Sequence, residues 1–262
     1  MLKPARGIQL NLSHPFARNL VAPFLMNEFT GNKIYAPGGF QGNFNANSYW
    51  QDEGVRLNNP TTSTDSKITT DIDYNADLGN QGAIVCCFKT VGVISYAHIC
   101  GSYPTQDAFR IYRNNSDAQL YFQLNSAAML VSGIATNIWD GAYHTVAFTW
   151  DADVNVRKYY IDGVLEATNT TAFTMPTGET MNIGGRHNQY YANDAVYKYF
   201  YPFNTLLSDI EIAQITREPF TMFDTGINPA LLYAAAVSAG NVFPVFSENG
   251  VHSALFGRQV VR

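Results

Sequence analysis

Apolar and polar positions alternate with period two over much of this chain, and turn-forming residues break the alternation at short intervals. FRIYR (109–113) and QLYFQL (119–124) alternate in this way around NNSD, a turn-rich tetrad, which predicts a hairpin. AIVCCFK (83–89), VGVISYA (91–97) and AMLVS (128–132) are aliphatic and β-branched runs that predict further strands. HTVAFTW (144–150) and RKYYI (157–161) flank the loop DADVNV, and Asp162-Gly163 makes a second tight turn into VLEAT (164–168). TMNIGG (180–185) and AVYKYFYPF (195–203) complete the series. Strands at this spacing predict an all-β fold, a two-sheet antiparallel sandwich.

The period changes once, in LLSDIEIAQITREPF (206–220). Ser208 is a favourable N-cap, and Glu211 three residues later completes a capping box. Leu207 and Ile212 are placed for a hydrophobic staple, Ile212 and Ile215 give a short apolar face, and Pro219 ends the helix. A single short helix near the end of an all-β chain is expected to lie as a plug or lid on the sandwich.

The flanks look different. Residues 1–15 are expected to be an N-terminal arm, 16–222 the sandwich domain, and 223–262 a C-terminal arm. In that last segment INPALLYAAAVSA (227–239) suits a short helix. VFPVF and VHSALF flank SENG, whose Asn249-Gly250 pair favours a type I′ hairpin. The segment is apolar enough to need a surface to pack on. Leu231, Leu232, Phe243 and Phe246 are its docking residues, against either its own domain or a neighbour.

Composition narrows the class. The chain has 262 residues, 46% of them hydrophobic, enough for a sizeable core. Only 14% are charged, so a surface rich in Tyr and Asn suits contact with proteins or sugars. The formal net charge is -5 and the longest basic run is Arg157-Lys158, which leaves no cationic stripe to neutralise phosphates and excludes nucleic acid as a partner. LLYAAAVSAG (231–240) is too short to span a bilayer. MLKPARGIQLNLSHPF lacks an apolar h-region, so no secretory signal is expected. The three cysteines, Cys86, Cys87 and Cys100, make no complete disulfide framework. Cys86 and Cys87, adjacent on a strand, face opposite sides and are expected to be buried free thiols, as is Cys100; a bridge from Cys100 to one of them is the alternative.

The stretch that decides between an enzyme and a non-enzyme is WDGAYHTVAFTWD (139–151). Alternation puts His144, Val146, Phe148 and Trp150 on one face and Thr145, Ala147 and Thr149 on the other. His144 therefore continues a core row. Seven residues of strand separate it from Asp151, roughly 20 Å or more, so the two cannot meet on one strand. His144 is expected to be structural, bonded to a neighbouring backbone group.

DGAYHTVAFTWD, KYYIDG, MNIGGR and FNTLLSDIEIAQI together resemble the laminin G-like, or concanavalin A-like, family over about residues 16 to 222. That resemblance implies a two-sheet antiparallel jelly roll. SHPFARNLVAPFLMNEFTGNKIYAPGG (13–39) and EIAQITREPFTMF (211–223) further resemble the opening and closing segments of laminin G-like proteins encoded by tailed bacteriophages. This implies a virion component, made in a host cytoplasm, whose partners are other virion proteins: the major capsid protein or sister copies in a homo-oligomer.

Three kinds of chemistry are tested against the residues. The same fold carries glucanases, and glycoside hydrolysis needs two carboxylates about 5–9.5 Å apart. The Glu-x-Asp-x-Glu strand of those relatives is missing. Asp209 and Glu211 fall on the helix as cap residues, and Asp71 and Asp73 lie in TDIDYNAD, which reads as a polar region without a flanking apolar strand. Calcium is bound by many laminin G relatives, but their acids do not map cleanly onto this chain. DADVN (151–155) begins like a calcium loop yet lacks the later Gly and Glu, so it reads as turn chemistry. No metal or other cofactor is expected. Sugar binding needs aromatics beside amides and hydroxyls. GGFQGNFNANSYWQDEG (38–54) offers Phe44, Tyr49 and Trp50, and GRHNQYYANDAVYKYFY (185–201) offers Arg186, His187, Asn188, Tyr190 and Tyr191. Either set suits a protein contact equally well. No nucleophile elbow or phosphate loop is present. The expected function is thus a non-enzymatic virion protein, a capsid decoration or head protein docked by its terminal arms. A tail or fibre adhesin binding host-surface carbohydrate comes second and a glycoside hydrolase third.

Overall fold

The computed structural model describes residues 8–44, 47–51, 53–58, 66–92, 97–105, 108–114, 120–125, 127–131, 138–185, 194–223, 245–247 and 250–252. Residues 1–223 form one compact unit and residues 224–262 a second.

The first unit is the expected two-sheet antiparallel jelly-roll sandwich. Its strands are β1 (Lys33–Tyr35), β2 (Gln41–Phe44), β3 (Ser48–Gln51), β4 (Gly54–Leu57), β5 (Ile68–Asp73), β6 (Gln81–Thr90), β7 (Ala97–Tyr103) and β8 (Phe109–Arg113). They continue as β9 (Leu120–Leu124), β10 (Ala127–Val131), β11 (His144–Asp151), β12 (Val156–Ile161), β13 (Val164–Asn169), β14 (Thr180–Ile183) and β15 (Ala195–Phe203). One sheet runs β1-β2-β5-β14-β7-β8-β9-β10; the other runs β13-β12-β11-β6-β15-β4-β3.

Two apolar clusters explain why some strands alternate and others are apolar throughout. Between the sheets lie Phe44, Ile72, Ile84, Cys86, Phe88, Phe122, Phe148, Trp150 and Tyr197. The outer face of the seven-stranded sheet carries a second cluster: Val85, Cys87, Ala147, Tyr160, Tyr199 and Tyr201 are covered by Phe16, Leu207, Ile212, Ile215 and Phe220. A strand buried on both faces reads as an unbroken apolar run, which is what AIVCCFK and HTVAFTW show. Cys86 and Cys87 do face opposite sides, and all three cysteines are free and buried.

The helix, α1 (Asp209–Arg217), packs Ile212 and Ile215 into the second cluster as the lid its pattern predicts. Its capping box is present in full, with the Ser208 hydroxyl accepting from the Glu211 amide and the Glu211 carboxylate accepting from the Ser208 amide. The Asp162-Gly163 turn has φ of 49° and 83°, the left-handed pair that a type I′ hairpin requires. The segment expected to be an N-terminal arm is, from residue 8 to 15, tied to the turn that follows the helix: Leu10 bridges Phe223, and the Asn11 amide donates to the Met222 carbonyl at 3.0 Å.

Several strands differ from expectation. The strand expected over 91–97 begins only at Ala97, because Val91-Gly92 is a bend; residues 93–96 lie outside the described set. Strands β1 to β4 are missed because they are only three or four residues long and carry Gln, Gly, Asn and Ser at inward or edge positions. TDIDYNAD, read as a polar region, is strand β5 with Ile68, Thr70 and Ile72 inward, followed by a π-helical turn at Tyr74–Leu78. In the second unit Val245–Ser247, which holds Phe246, pairs with Gly250–His252. The register Ser247 to Gly250 places Gly250 in a strand, one position beyond the turn centre expected of Asn249-Gly250. The helix expected over 227–239 lies outside the described residues, as do Leu231, Leu232 and Phe243.

Candidate functional site

His144 bonds carboxylates, not the backbone group expected. Its Nδ1 lies 2.8 Å from Asp162 Oδ2 and its Nε2 lies 3.2 Å from Asp140 Oδ1. The register Val146 to Ile161 carries the Asp162-Gly163 turn to the start of β11, which supplies a partner that strand geometry denied to Asp151. Asp162 Oδ1 also accepts from the Thr145 amide at 2.9 Å, and Asp140 Oδ1 from the Ala142 amide at 2.7 Å. The Ala142 amide, with His144 behind it, holds the Asp140 carboxyl below its usual range. Both acids thus brace turns, and the triad clamps the start of β11 with no nucleophile in its hydrogen-bond set.

The acids considered for hydrolysis are each engaged locally. Asp71 Oδ1 accepts from the Gln41 amide, and Asp73 Oδ1 accepts from the Asn75 and Ala76 amides as the cap of the π-helical turn. Asp209 accepts from Lys158 Nζ and the Tyr160 hydroxyl, both at 2.8 Å. Asp151 Oδ1 takes the Asp153 and Val154 amides, the turn chemistry expected of DADVN. Among the described residues no group of three or more His, Cys, Asp or Glu is placed to hold a metal ion, and no helix is long and apolar enough to cross a membrane.

The sugar-binding candidates divide. Phe44 is only 4% exposed and belongs to the core, because β2 turns it inward; it is corrected out of the surface set. Tyr49 is 47% exposed on edge strand β3. Trp50 beside it is half-buried, and its indole Nε1 donates to the Gly31 carbonyl at 2.8 Å. Its ring meets Phe44 edge-on at 5.4 Å and exposed Phe29 at 6.1 Å. Arg186, His187, Asn188, Tyr190 and Tyr191 lie outside the described residues.

Trp50, Gln51, Glu53 and Lys89 line a cleft of about 430 Å³. Lys89 Nζ approaches Glu53 Oε2 at 3.4 Å. Two ammonium groups flank one ring here: Lys89 Nζ lies 4.6 Å and Lys198 Nζ 5.0 Å from the centre of Tyr143. The Tyr143 hydroxyl lies near Glu53 and favours its charged form, together with Lys89, so that the carboxyl is held below its usual range. Burial, and then Glu53, push the Tyr143 hydroxyl up. Arg56, on β4, pairs with buried Asp194 at 2.7 Å. The register puts Trp50 in the row of Val55, Tyr197 and Phe88, which faces the inter-sheet core, and Tyr49 in the row of Arg56, Val196 and Lys89 on the other face, so exposed Tyr49 is the ring that shares a face with the cleft's ammonium group. Sequence reasoning found Trp50 and Tyr49 but not Glu53, Lys89, Tyr143 or Lys198. Its one signal was a lysine interrupting each of two otherwise apolar strands, AIVCCFK and AVYKYFYPF.

A second and larger concavity, about 790 Å³, lies between residues 8–12, 17–28 and 35–38. Its walls are largely aliphatic, and Glu28, which lines it, accepts the Tyr35 amide at 2.8 Å.

Residues 54–213 match a laminin G model described as the concanavalin A-like lectin/glucanases superfamily, and the chain belongs to that family. No curated protein sequence matches it. Among solved structures, the botulinum neurotoxin serotype D binding domain superposes with a TM-score of 0.58 at 12% identity, covering 76% of this chain and 51% of that one. The type G receptor binding domain of the same toxin family gives 0.57 at 14% identity, with 76% and 51% covered. Trypanosoma rangeli sialidase in complex with sialic acid gives 0.60 at 14% identity, covering 78% of this chain and 34% of the sialidase. The chain thus spans about half the length of the toxin domains and a third of the sialidase, and the likeness is one of fold.

Proposed function

We propose that this protein is a non-enzymatic binding component of a bacteriophage virion, whose jelly roll binds host-surface carbohydrate at the Trp50 rim. The observation that carries this reading is the cleft itself: Trp50, Gln51, Glu53 and Lys89 line it, and the exposed Tyr49 ring lies on the same face of the sheet as Lys89. Membership of a lectin/glucanase family supports it, as does the shared fold with toxin receptor-binding domains. The non-enzymatic part rests on the acids. Asp71, Asp73, Asp209 and Glu211 serve amides, a lysine and a helix cap. The virion setting rests on the resemblance of residues 13–39 and 211–223 to phage laminin G-like proteins.

A second reading, a capsid decoration protein docked on the shell or on sister copies, is favoured by one observation. Residues 224–262 are an apolar segment set apart as their own unit. Deleting them separates the readings. Decoration predicts loss of particle association with glycan binding kept, whereas Trp50→Ala and Tyr49→Ala should do the reverse under the adhesin reading. Quantitative mass spectrometry of purified particles adds a position: hundreds of copies mark a shell protein, a few to a few dozen a tail or vertex protein.

A further inference from the structure

We infer that Phe29, backed by Trp50, is the ring that stacks on the sugar, and that it takes a hexopyranose through its C–H face without need of a charge; this rests on the carbohydrate-binding reading above. Phe29 is a large apolar side chain left 50% exposed, and its backbone stands at φ 57°, in the left-handed region. Gly, Asn and Asp enter that region readily, whereas a bulky side chain meets its own backbone there. Met26 at φ 53° and Gly31 at φ 72° make three left-handed positions within six residues. Asn or Gly at position 29 would suit the backbone better than Phe. Burial does not offset the difference, because half of the ring stays in water. Folding alone therefore does not account for a phenylalanine here. Backbone strain of this kind collects at binding sites, where it orients a side chain before the ligand arrives.

The turn that carries Phe29 is tied to three strands. Asn27 and Glu28 are buried, and Glu28 Oε1 accepts the Tyr35 amide of β1 at 2.8 Å. The Asn32 carbonyl accepts the Phe44 amide of β2 at 3.0 Å. The Gly31 carbonyl accepts the Trp50 indole N–H of β3 at 2.8 Å. The Phe29 ring lies 6.1 Å from that of Trp50, tilted by 54°, and Trp50 in turn meets core Phe44 edge-on at 5.4 Å. Three rings thus run from solvent into the core, on the inter-sheet side of β3 to which the register turns Trp50. Thr30 and Asn32, both exposed in the same turn, add a hydroxyl and an amide. A fixed aromatic surface beside neutral polar groups suits one face of a sugar ring: its C–H groups lie on Phe29 and its hydroxyls reach the polar side chains. That contact is made by carbon surface and neutral groups, so an uncharged ring suffices and added salt leaves the affinity unchanged.

The test uses the full chain on a broad glycan array, with lactose and cellobiose as soluble probes for saturation-transfer NMR. The parent protein is expected to bind uncharged hexose-terminated glycans and to saturate most strongly the C–H protons on one face of the terminal ring. Phe29→Asn, which suits the left-handed backbone and removes the ring, should weaken binding about tenfold or more while its urea midpoint equals or exceeds the parent's. Phe29→Tyr, which keeps a ring, should keep the binding. A midpoint that falls in Phe29→Asn makes Phe29 a structural residue and overturns the inference. Binding that Phe29→Asn leaves intact, while Trp50→Ala or Tyr49→Ala loses it, overturns the inference and leaves carbohydrate binding standing. Binding confined to charged glycans, and lost with added salt, does the same. Binding to no glycan overturns both, and loss of particle association in Phe29→Asn would then mark the ring as a protein contact.

Discussion

His144 at the start of β11 and Asp162 in the β12–β13 turn are joined at 2.8 Å, although 18 residues separate them in sequence. Asp162 Oδ1 also accepts the Thr145 amide, so one carboxylate fixes both the side chain and the backbone at the point where β11 enters the sheet. Asp162→Ala removes both bonds and places a residue with a Cβ but no local acceptor at φ 49°. The expected cost is about 1–3 kcal/mol, read as a lowered urea midpoint with unchanged slope. Asp162→Asn keeps an acceptor and tolerates the left-handed backbone, so it should lose less.

The capping box of α1 makes a second stability prediction. Ser208→Ala should cost about 1 kcal/mol, since the Glu211 amide loses its acceptor. The double variant with Glu211→Ala should cost less than the sum of the singles, because the two side chains satisfy each other's backbone.

Asp209 gives a pH prediction. Lys158 and Tyr160 hold its carboxyl below the usual range. A depressed folded value means that its contribution is fully present above the unfolded value, about pH 4, and is lost as pH falls through the lower folded value. The Asp209→Asn variant should therefore show a shallower fall in thermal midpoint below about pH 4 than the parent protein, and no difference in slope between pH 6 and 8.

Gly54 links fold to site. Its missing Cβ lets the β3–β4 turn sit on the Tyr197 carbonyl, a backbone atom that cannot give way. Gly54→Ala should displace edge strand β3, and with it Trp50 and Glu53, while the inter-sheet core stays folded. The signature is lost glycan binding with near-native far-UV dichroism. Intact binding would show that the rim does not depend on this contact.

The second half of the sandwich is legible in the sequence because β11, β12 and β13 are successive, alternate cleanly and turn at Asp-Gly. The capping box is legible because it is local. The first half is not, because strands such as Gln41–Phe44 are short, polar and held by partners far along the chain. Phe44 shows the limit: aromatic in a Gly- and Asn-rich stretch, it looks like a surface residue, yet β2 turns it into the core. The cleft was half legible. Trp50 and Tyr49 stood out by type, but Glu53 and Lys89 are 36 residues apart and meet only through the pairing of β3, β4, β15 and β6. His144 bonds Asp140 and Asp162 in place of a backbone group, and Asp162 escapes a reading of the stretch 139–151 because it comes from the next hairpin turn.

The central claim is that the Trp50 rim binds carbohydrate without cleaving it. The most direct measurement is equilibrium binding of the full chain and of Trp50→Ala to an immobilised glycan array, with reducing ends assayed in the same wells. The account predicts saturable binding to a subset of glycans, weakened about tenfold or more in Trp50→Ala, with no reducing ends released. Binding that Trp50→Ala leaves unchanged, or sugar released by the parent protein, would contradict it.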